Sequence, residues 1–559
     1  MTHAKTALPV RALLYDLARS QRAHLPHLQS VIERLAQLGY NMLVLNLEHR
    51  FAFPSRPGIA PPGSLTPMMA RHLVDFGAKL GVEVVPQPNL IGHCEGLCAT
   101  ERYAHLSADP WTQAPWGGYE QLNLELAESR ELVRDMIADI VAAFPGRYLH
   151  IGGDEVRRMD YLFPDDTARQ LAAMKEHFGF VLELARSHRR EVMIWGDMPL
   201  RHPELMAALP RDLIICDWHY GPKGSRETLE RYKTEGFRVL AAPSVPTYVA
   251  FATLPAEGHA NITKMVTDAV DLGLEGFLLT TWEFGQGSAF DLVWPWVALA
   301  AALAQGEVSE ESDAYLVRFG AARYGVDGQK YARLHALLSI ELKAVLSCPR
   351  GLGQLRKSLF RGAPAFADIA RPRLVPANPH VFVWEPSPFH AWLLVRPLLS
   401  GATLTRLRAM RDEAGKLERE LAAGARQNVN ELYPLLALAR AFQVFVERVE
   451  ILEEARSIYH AASELQRRDR QAFHHHLEHV AHLLERLQTG LDTLREIVRN
   501  LDAQTGFDEE EMHWLDIHAQ SLAEHVDALR RMRFRGDALL EFGEFLRRPA
   551  HVTARVTWR

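Results

Sequence analysis

The segment His150-Ile151-Gly152-Gly153-Asp154-Glu155 sets two adjacent carboxylates directly after two glycines. Glycines let a backbone turn sharply and approach a ligand closely, and such a turn would present both carboxylates into one mouth. Like charges held close cannot both ionise easily, so one of the pair is expected to have a raised pKa and to act as a general acid near neutral pH. The competing use of Asp154 is as a helix N-cap that satisfies free amides of the next connection. Further polar and aromatic residues recur at intervals along the first half of the chain: Asp16 with Arg19, Glu48 with His49, His93, Trp195 with Asp197, Trp218, and Trp282 with Glu283.

The elements that must position these residues are eight short β-rich apolar runs, at 10–17, 41–48, 82–87, 147–152, 191–197, 212–218, 237–243 and 276–282. Amphipathic stretches with apolar residues at three- and four-residue spacing separate them, which is the pattern of parallel strands joined by helices. Each chemically interesting residue falls at or just beyond the C-terminal end of a run. An α/β fold of the (β/α)8 TIM barrel type, over residues 1–306, would collect them on one face. The alternative is an open doubly wound sheet. It loses support because no GxGxxG follows the first strand and no GxxxxGK[ST] occurs. From 307 to 559 the chain is rich in Leu, Ala, Glu and Arg with helical periodicity, predicting an α-helical C-terminal domain. A Pro-rich aromatic arm near 364–397, carrying Trp384 and Trp392, is expected to be an ordered loop. Broad apolar helix faces must be covered. The helical domain is therefore expected either to cap the barrel mouth or to form a homodimer.

Composition narrows the classes of partner. Of 559 residues, 63 are Lys or Arg and 69 are Asp or Glu, a formal net charge of −6. No basic excess calls for nucleic acid or an anionic membrane, and no apolar run is long enough to span a bilayer. The N-terminal residues lack the pattern of a secretory signal. Cys94, Cys98, Cys216 and Cys348 form no CxxC pair, so free thiols in a reducing cytoplasm are expected. His474, His475, His476, His479 and His482 include the i,i+4 spacing of helical zinc ligands, but without HExxH a solvated helical face is favoured. The Arg-rich stretches at 530–535 and 547–548 are balanced by nearby acids and read as surface charge. Neither a metal nor an organic cofactor is expected.

HIGGDE resembles the H-x-G-G-D-E motif of glycoside hydrolase family 20, the exo-acting β-N-acetylhexosaminidases. RALLYDLAR (11–19) resembles the family's first strand, whose closing arginine, here Arg19, grips the 3- and 4-hydroxyls of the terminal sugar. Asn89-Leu90-Ile91-Gly92-His93 with Glu95 resembles the third-strand segment whose histidine supports the catalytic pair. The stretches NMLVLNLEHRFAFP and GHCEGLCATERYAHL look most like the intracellular hexosaminidase D branch. The resemblance covers roughly residues 10–305.

It implies hydrolysis of N-acetylhexosaminide glycosides in which the substrate's own acetamido oxygen is the nucleophile, an exception to the two-carboxylate scheme. Glu155 would be the acid and then the base, and Asp154 would orient the acetamido N–H. His150 would support the pair or pack beneath the strand. Trp195, Trp218 and Trp282 would enclose the acetamido methyl and the sugar face. Tyr248 is chosen as the hydroxyl that donates to the acetamido oxygen, with Tyr220 as its rival. Asp197 would give a hydrogen bond at the rim or cap the next helix, and Glu48 and His49 would touch substrate hydroxyls or each other. Glu283 follows Trp282 immediately, one position earlier than the family's hydroxyl-binding glutamate, and residue 284 is Phe. The choice between N-acetylglucosamine and N-acetylgalactosamine is thereby left open. Two rivals remain. One is a non-catalytic sugar-binding or scaffold barrel. The other is a metal-dependent barrel hydrolase with His93, His150 and Asp154 as ligands.

Overall fold

The computed structural model describes residues 8–18, 22–98, 100, 102–108, 121–282, 289–307, 309–346, 352–360, 387–505, 509–532 and 539–547. Its first part is built on eight parallel strands: β1 (Val10–Asp16), β2 (Met42–Asn46), β3 (Glu83–Gln87), β4 (Tyr148–His150), β5 (Glu191–Trp195), β6 (Ile214–Trp218), β7 (Arg238–Ala242) and β8 (Gly276–Thr281). The two-residue strand Ser244–Val245 pairs beside β8. Alternate residues divide between two layers, as the period of a strand requires. Ala12, Leu14, Val44, Val85, Met193, Ile214, Cys216, Leu240 and Leu278 fill the interior, while Leu13, Leu43, Ile194, Ile215 and Leu279 face outward into the surrounding core.

β1 pairs with both β2 and β8, Leu13 sitting opposite Leu43 on one side and Leu279 on the other, and the two ends of the strand order, β3 and β4, lie side by side, which rules out the open doubly wound sheet. Hydrogen-bonded neighbours run β3-β2-β1-β8-β7-β6-β5-β4, a nearly closed barrel. At the remaining joint β3 and β4 are adjacent but share no ladder. A side chain stitches it at the N-terminal end. Glu83 Oε1 accepts the N–H groups of Arg147 and Tyr148 at 2.5 and 3.2 Å.

The main connecting helices are α1 (Leu25–Gln37), α2 (Pro67–Lys79), α3 (Ala127–Ala143), α4 (Thr167–Ser187), α5 (Arg226–Thr234), α6 (Pro255–Leu272) and α7 (Trp294–Ala304). Local signals explain their starts. Thr66 accepts the Met69 N–H with proline at the first helical position of α2, and Asp166 accepts the Arg169 N–H ahead of α4.

The remainder is helical, including α8 (Ser312–Tyr324), α9 (Leu352–Phe360), α10 (Gly401–Gly424), α11 (Val429–Leu465), α12 (Arg470–Thr505) and α13 (Glu509–Arg531). A buried charge cluster ties it to the barrel. Arg34 of α1 lies over the Trp294 ring, 4.3 Å from its centroid, and pairs with Glu431 of α11, which also takes Arg323 of α8 at 2.5 Å. The expected loop through 397 ends earlier, in a short helix at His390–Val395. Trp392 there is fully buried and donates to Glu453 of α11 at 2.8 Å, so its apolar ring has been drawn into the helical core. Trp384 lies outside the described residues. On α12, His482 pairs with Glu478 and Glu485 and His476 contacts the Ala472 carbonyl of its own helix. Among the described residues no three His, Cys, Asp or Glu side chains are grouped as a metal site, and no helix is long and apolar enough to cross a membrane.

Candidate active site

The C-terminal end of the unladdered β3/β4 joint is where the polar groups meet. Beyond β4 the chain pairs once more with β5, Ile151 N–H to Met193 O at 3.0 Å and Trp195 N–H to Gly152 O at 3.1 Å. It then turns through left-handed backbone at Gly152 (φ 71°), Gly153 (φ 89°) and Glu155 (φ 51°). Gly152 needs its missing Cβ as well as its φ, because that atom would lie 2.2 Å from Asn89 Oδ1 across the joint. Glu48 (φ 45°) and His93 (φ 49°), just beyond β2 and β3, are also left-handed. Three non-glycine residues in this region, each costing about 1 kcal/mol or more, mark a backbone over-determined by its surroundings, as active sites are.

That turn delivers both carboxylates to one histidine. His93 Nε2 lies 3.2 Å from Asp154 Oδ2 and 3.4 Å from Glu155 Oε2, while Arg157 reaches Glu155 Oε1 at 2.5 Å. Asp197 fixes the turn from β5. Its Oδ2 accepts the Glu155 N–H at 2.9 Å and its Oδ1 accepts the Trp218 indole N–H at 3.4 Å. Neither aspartate caps a helix. The one after β4 starts at Met159 with Arg158 in the cap position, and Asp197 is itself inside the short helix Asp197–Arg201, behind Gly196.

The expected raised pKa falls on a different carboxyl. Burial acts to raise Glu155, but the hydrogen bond and charge of His93, together with Arg157, outweigh it and bring the group down to about 2. Burial, followed by the charge of Asp154, instead pushes Asp197 up to about 6. Repulsion between the adjacent pair is thus relieved by His93 and reappears one strand further on. His150 is completely buried and its pKa is driven down to about 3, by burial with only partial compensation from Asp154. Its neutral ring accepts the Gly152 N–H on Nδ1 at 3.1 Å and packs against Trp195 at 4.6 Å. Among the described residues it is not grouped with His93 and Asp154 as a metal site.

Aromatic residues line the other side. Trp195 caps the barrel interior and is 1% exposed; Trp218 and Trp282 are half-buried against the same cluster. Trp195 and Trp282 lie 5.9 Å apart, Trp218 and Tyr220 5.0 Å, and Tyr220 and Tyr248 6.4 Å. Both candidate tyrosines therefore belong to one group, and the Tyr220 hydroxyl is engaged by the Trp282 N–H at 2.9 Å. Arg19 and Glu283 lie outside the described residues.

Sequence reasoning missed the buried polar bridge beneath this group. Asn46 donates to Asp16 at 2.9 Å and to Glu48 at 3.3 Å, and Asn89 donates to Glu48 at 3.1 Å. Its signal was present, since Asp16, Asn46 and Gln87 each end an apolar strand with a polar residue. Arg157 had no comparable signal, standing in an irregular connection.

The carboxylate pair thus stands on strained backbone at the C-terminal ends of barrel strands. Residues 9–272 match the catalytic domain of glycosyl hydrolase family 20. The match marks the barrel as a glycoside hydrolase domain. A β-N-acetylhexosaminidase from Cellulomonas fimi is 31% identical over 208 residues, covering 34% of this chain and 39% of that protein. A β-hexosaminidase from Emericella nidulans is 21% identical over 263 residues, covering 41% and 43%. The chain thus spans less than half the length of either relative. Among solved structures, the family 20 β-N-acetylhexosaminidase of Streptomyces coelicolor A3(2) gives a TM-score of 0.44 at 20% identity, over 58% of this chain and 69% of that one. The family 20 match takes in β1 to β7 and α6, and stops before Trp282 and the helical region.

Proposed function

We propose that the protein is an exo-acting, retaining β-N-acetylhexosaminidase that releases terminal N-acetylglucosamine or N-acetylgalactosamine by substrate-assisted catalysis. The observation that carries this reading is His93 bridging Asp154 and Glu155 on left-handed backbone, with Trp195, Trp218 and Trp282 opposite. Asp154 Oδ1 is buried and has no donor among the described residues, so it suits the acetamido N–H. Holding that group aligns the acetamido oxygen for attack on the anomeric carbon and stabilises the oxazolinium charge that develops. Glu155 protonates the leaving oxygen and then removes a proton from the attacking water. An aglycone seated against Glu155 displaces Arg157 and deepens the burial that is the largest influence on this carboxyl; both changes raise its pKa from its low value, against the hydrogen bond and charge of His93, which remain. Arg19 and Glu283 would hold ring hydroxyls. The buried free thiol of Cys216 supports a cytoplasmic enzyme of the hexosaminidase D kind.

The test is turnover of 4-nitrophenyl and sugar-aglycone β-N-acetylhexosaminides by wild type and Glu155→Gln, with and without a chelator. Wild type should be active and indifferent to the chelator. The variant should lose about 10²–10⁴-fold, more on the sugar aglycone because it needs the acid more. Loss of wild-type activity on chelation would favour a metal enzyme. Folded wild type that neither turns over a hexosaminide nor binds a thiazoline analogue would be a sugar-binding or scaffold barrel instead.

A further inference from the structure

The loop after β7, which carries Tyr248, is held from outside the barrel. Arg356 of α9 is completely buried, and its Nη1 faces three backbone carbonyls of that loop: Ala250 at 2.8 Å, Thr247 at 3.2 Å and Phe251 at 3.3 Å. The approach is so close that a Cβ on Gly353 would stand 2.0 Å from the Tyr248 carbonyl oxygen. Phe251 meets Phe442 of α11 edge to face, 6.0 Å between centroids. On the barrel side, Thr247 Oγ1 donates to the Trp282 carbonyl at 2.7 Å, and the Tyr248 ring meets Tyr220.

A buried guanidinium is costly unless acceptors are aimed at it, and buried carbonyls are costly unless donors reach them. Nη1 meets the need of the loop carbonyls here, through charge-assisted hydrogen bonds between elements about 105 residues apart. Without the donor, three carbonyls lose a partner at once and the short loop has reason to turn them toward water.

We propose that Arg356 is a positioning residue for the active site, gathering the carbonyls of 247, 250 and 251 so that Tyr248 stands at the acetamido pocket. The helical region then completes a site whose other groups come from the barrel. This rests on the hexosaminidase reading, in which the Tyr248 hydroxyl donates to the acetamido oxygen. Aligning that oxygen matters more for attack than for binding, so the loss falls on kcat more than on KM.

The experiment uses the full chain with Arg356→Met, Arg356→Lys, Gly353→Ala, Tyr248→Phe and the Arg356→Met/Tyr248→Phe double variant. Tyr248→Phe and Arg356→Met should each lower kcat about 10- to 100-fold with KM within about threefold. The double variant should be no worse than Tyr248→Phe alone, since both changes remove one function. Arg356→Lys keeps a cationic donor and should recover most of the loss; Gly353→Ala, which presses on the loop with Arg356 intact, should reproduce it. If Arg356→Met does not fold, the lysine and Gly353→Ala variants decide on the same terms. The inference fails if Arg356→Met or Gly353→Ala turns over like wild type. It also fails if Arg356→Met costs its full factor again with Tyr248 already replaced. Inactive wild type would sink the hydrolase reading and this inference together, whereas active wild type beside an unaffected Arg356→Met sinks this one alone.

Discussion

The two ends of the barrel are built from the same charged residue types and put them to opposite use. At the N-terminal end, Arg238 pairs with Glu275 and with Glu191 at 2.7 Å, Glu191 also takes Arg147 at 2.5 Å, and Glu83 closes the β3/β4 joint on backbone amides. Glu83, Glu191 and Glu275 each have a matched donor, and Glu191 illustrates the result. Burial acts to raise it, but Arg147 and Arg238 bring it below its ordinary value. At the C-terminal end, Asp154 and Glu155 share His93 beyond a left-handed turn, Arg157 pairs with Glu155, and Asp197, which holds the Glu155 N–H, is pushed up rather than down. Matched charge is what stability asks for and crowded like charge what chemistry asks for, the division of labour expected of the two faces of such a barrel.

The largest test of that contrast is Asp154→Asn, which should lower kcat about 10²–10³-fold while leaving the melting temperature nearly unchanged. A variant that melted early instead would place Asp154 with the structural charges. The converse change, Arg238→Met, should cost about 1–3 kcal/mol in denaturant unfolding by stripping Glu275 and Glu191 of a charged donor. Its kcat should stay within about twofold of wild type; a larger drop would mean that the two ends are coupled.

Asp197 sharpens the comparison through pH. Its carboxyl is raised from 3.8 to about 6, so the folded state holds this proton more tightly than the unfolded state does. Stability present below the unfolded value is lost as pH climbs through the folded one. Melting temperature followed from about pH 4 to pH 7 should show that decline in wild type and a flatter profile in Asp197→Asn. Identical profiles would remove Asp197 from the crowded set. The smallest effect is expected from Arg157→Ala. Removing this exposed cation raises the Glu155 pKa and should move the alkaline limb of kcat/KM upward by less than about one pH unit, an effect that fades in high salt. A downward shift would show that Arg157 acts on some other group.

Much of this was legible in the linear chain because it depends on local period and residue type. Short β-rich apolar runs separated by amphipathic stretches marked the eight main strands. The HIGGDE turn was readable because glycines followed by carboxylates have few other local uses. Less legible was the segment around Trp392, where proline and aromatic content suggested a loop while burial against α11 favoured a short helix.

Local patterns in the chain were thus enough for a barrel, for the face on which its polar and aromatic residues gather and for the carboxylate pair there, since strand period and strand direction are properties of neighbouring residues. Only the tertiary structure decided that the β3/β4 joint stays unladdered where His93 meets both carboxylates. It also decided that Asp197 rather than Glu155 carries the raised pKa, and that Arg356 reaches back to the Tyr248 loop. Those outcomes depend on distance and desolvation through space, where groups tens to hundreds of residues apart act on one another and spacing along the chain carries no information.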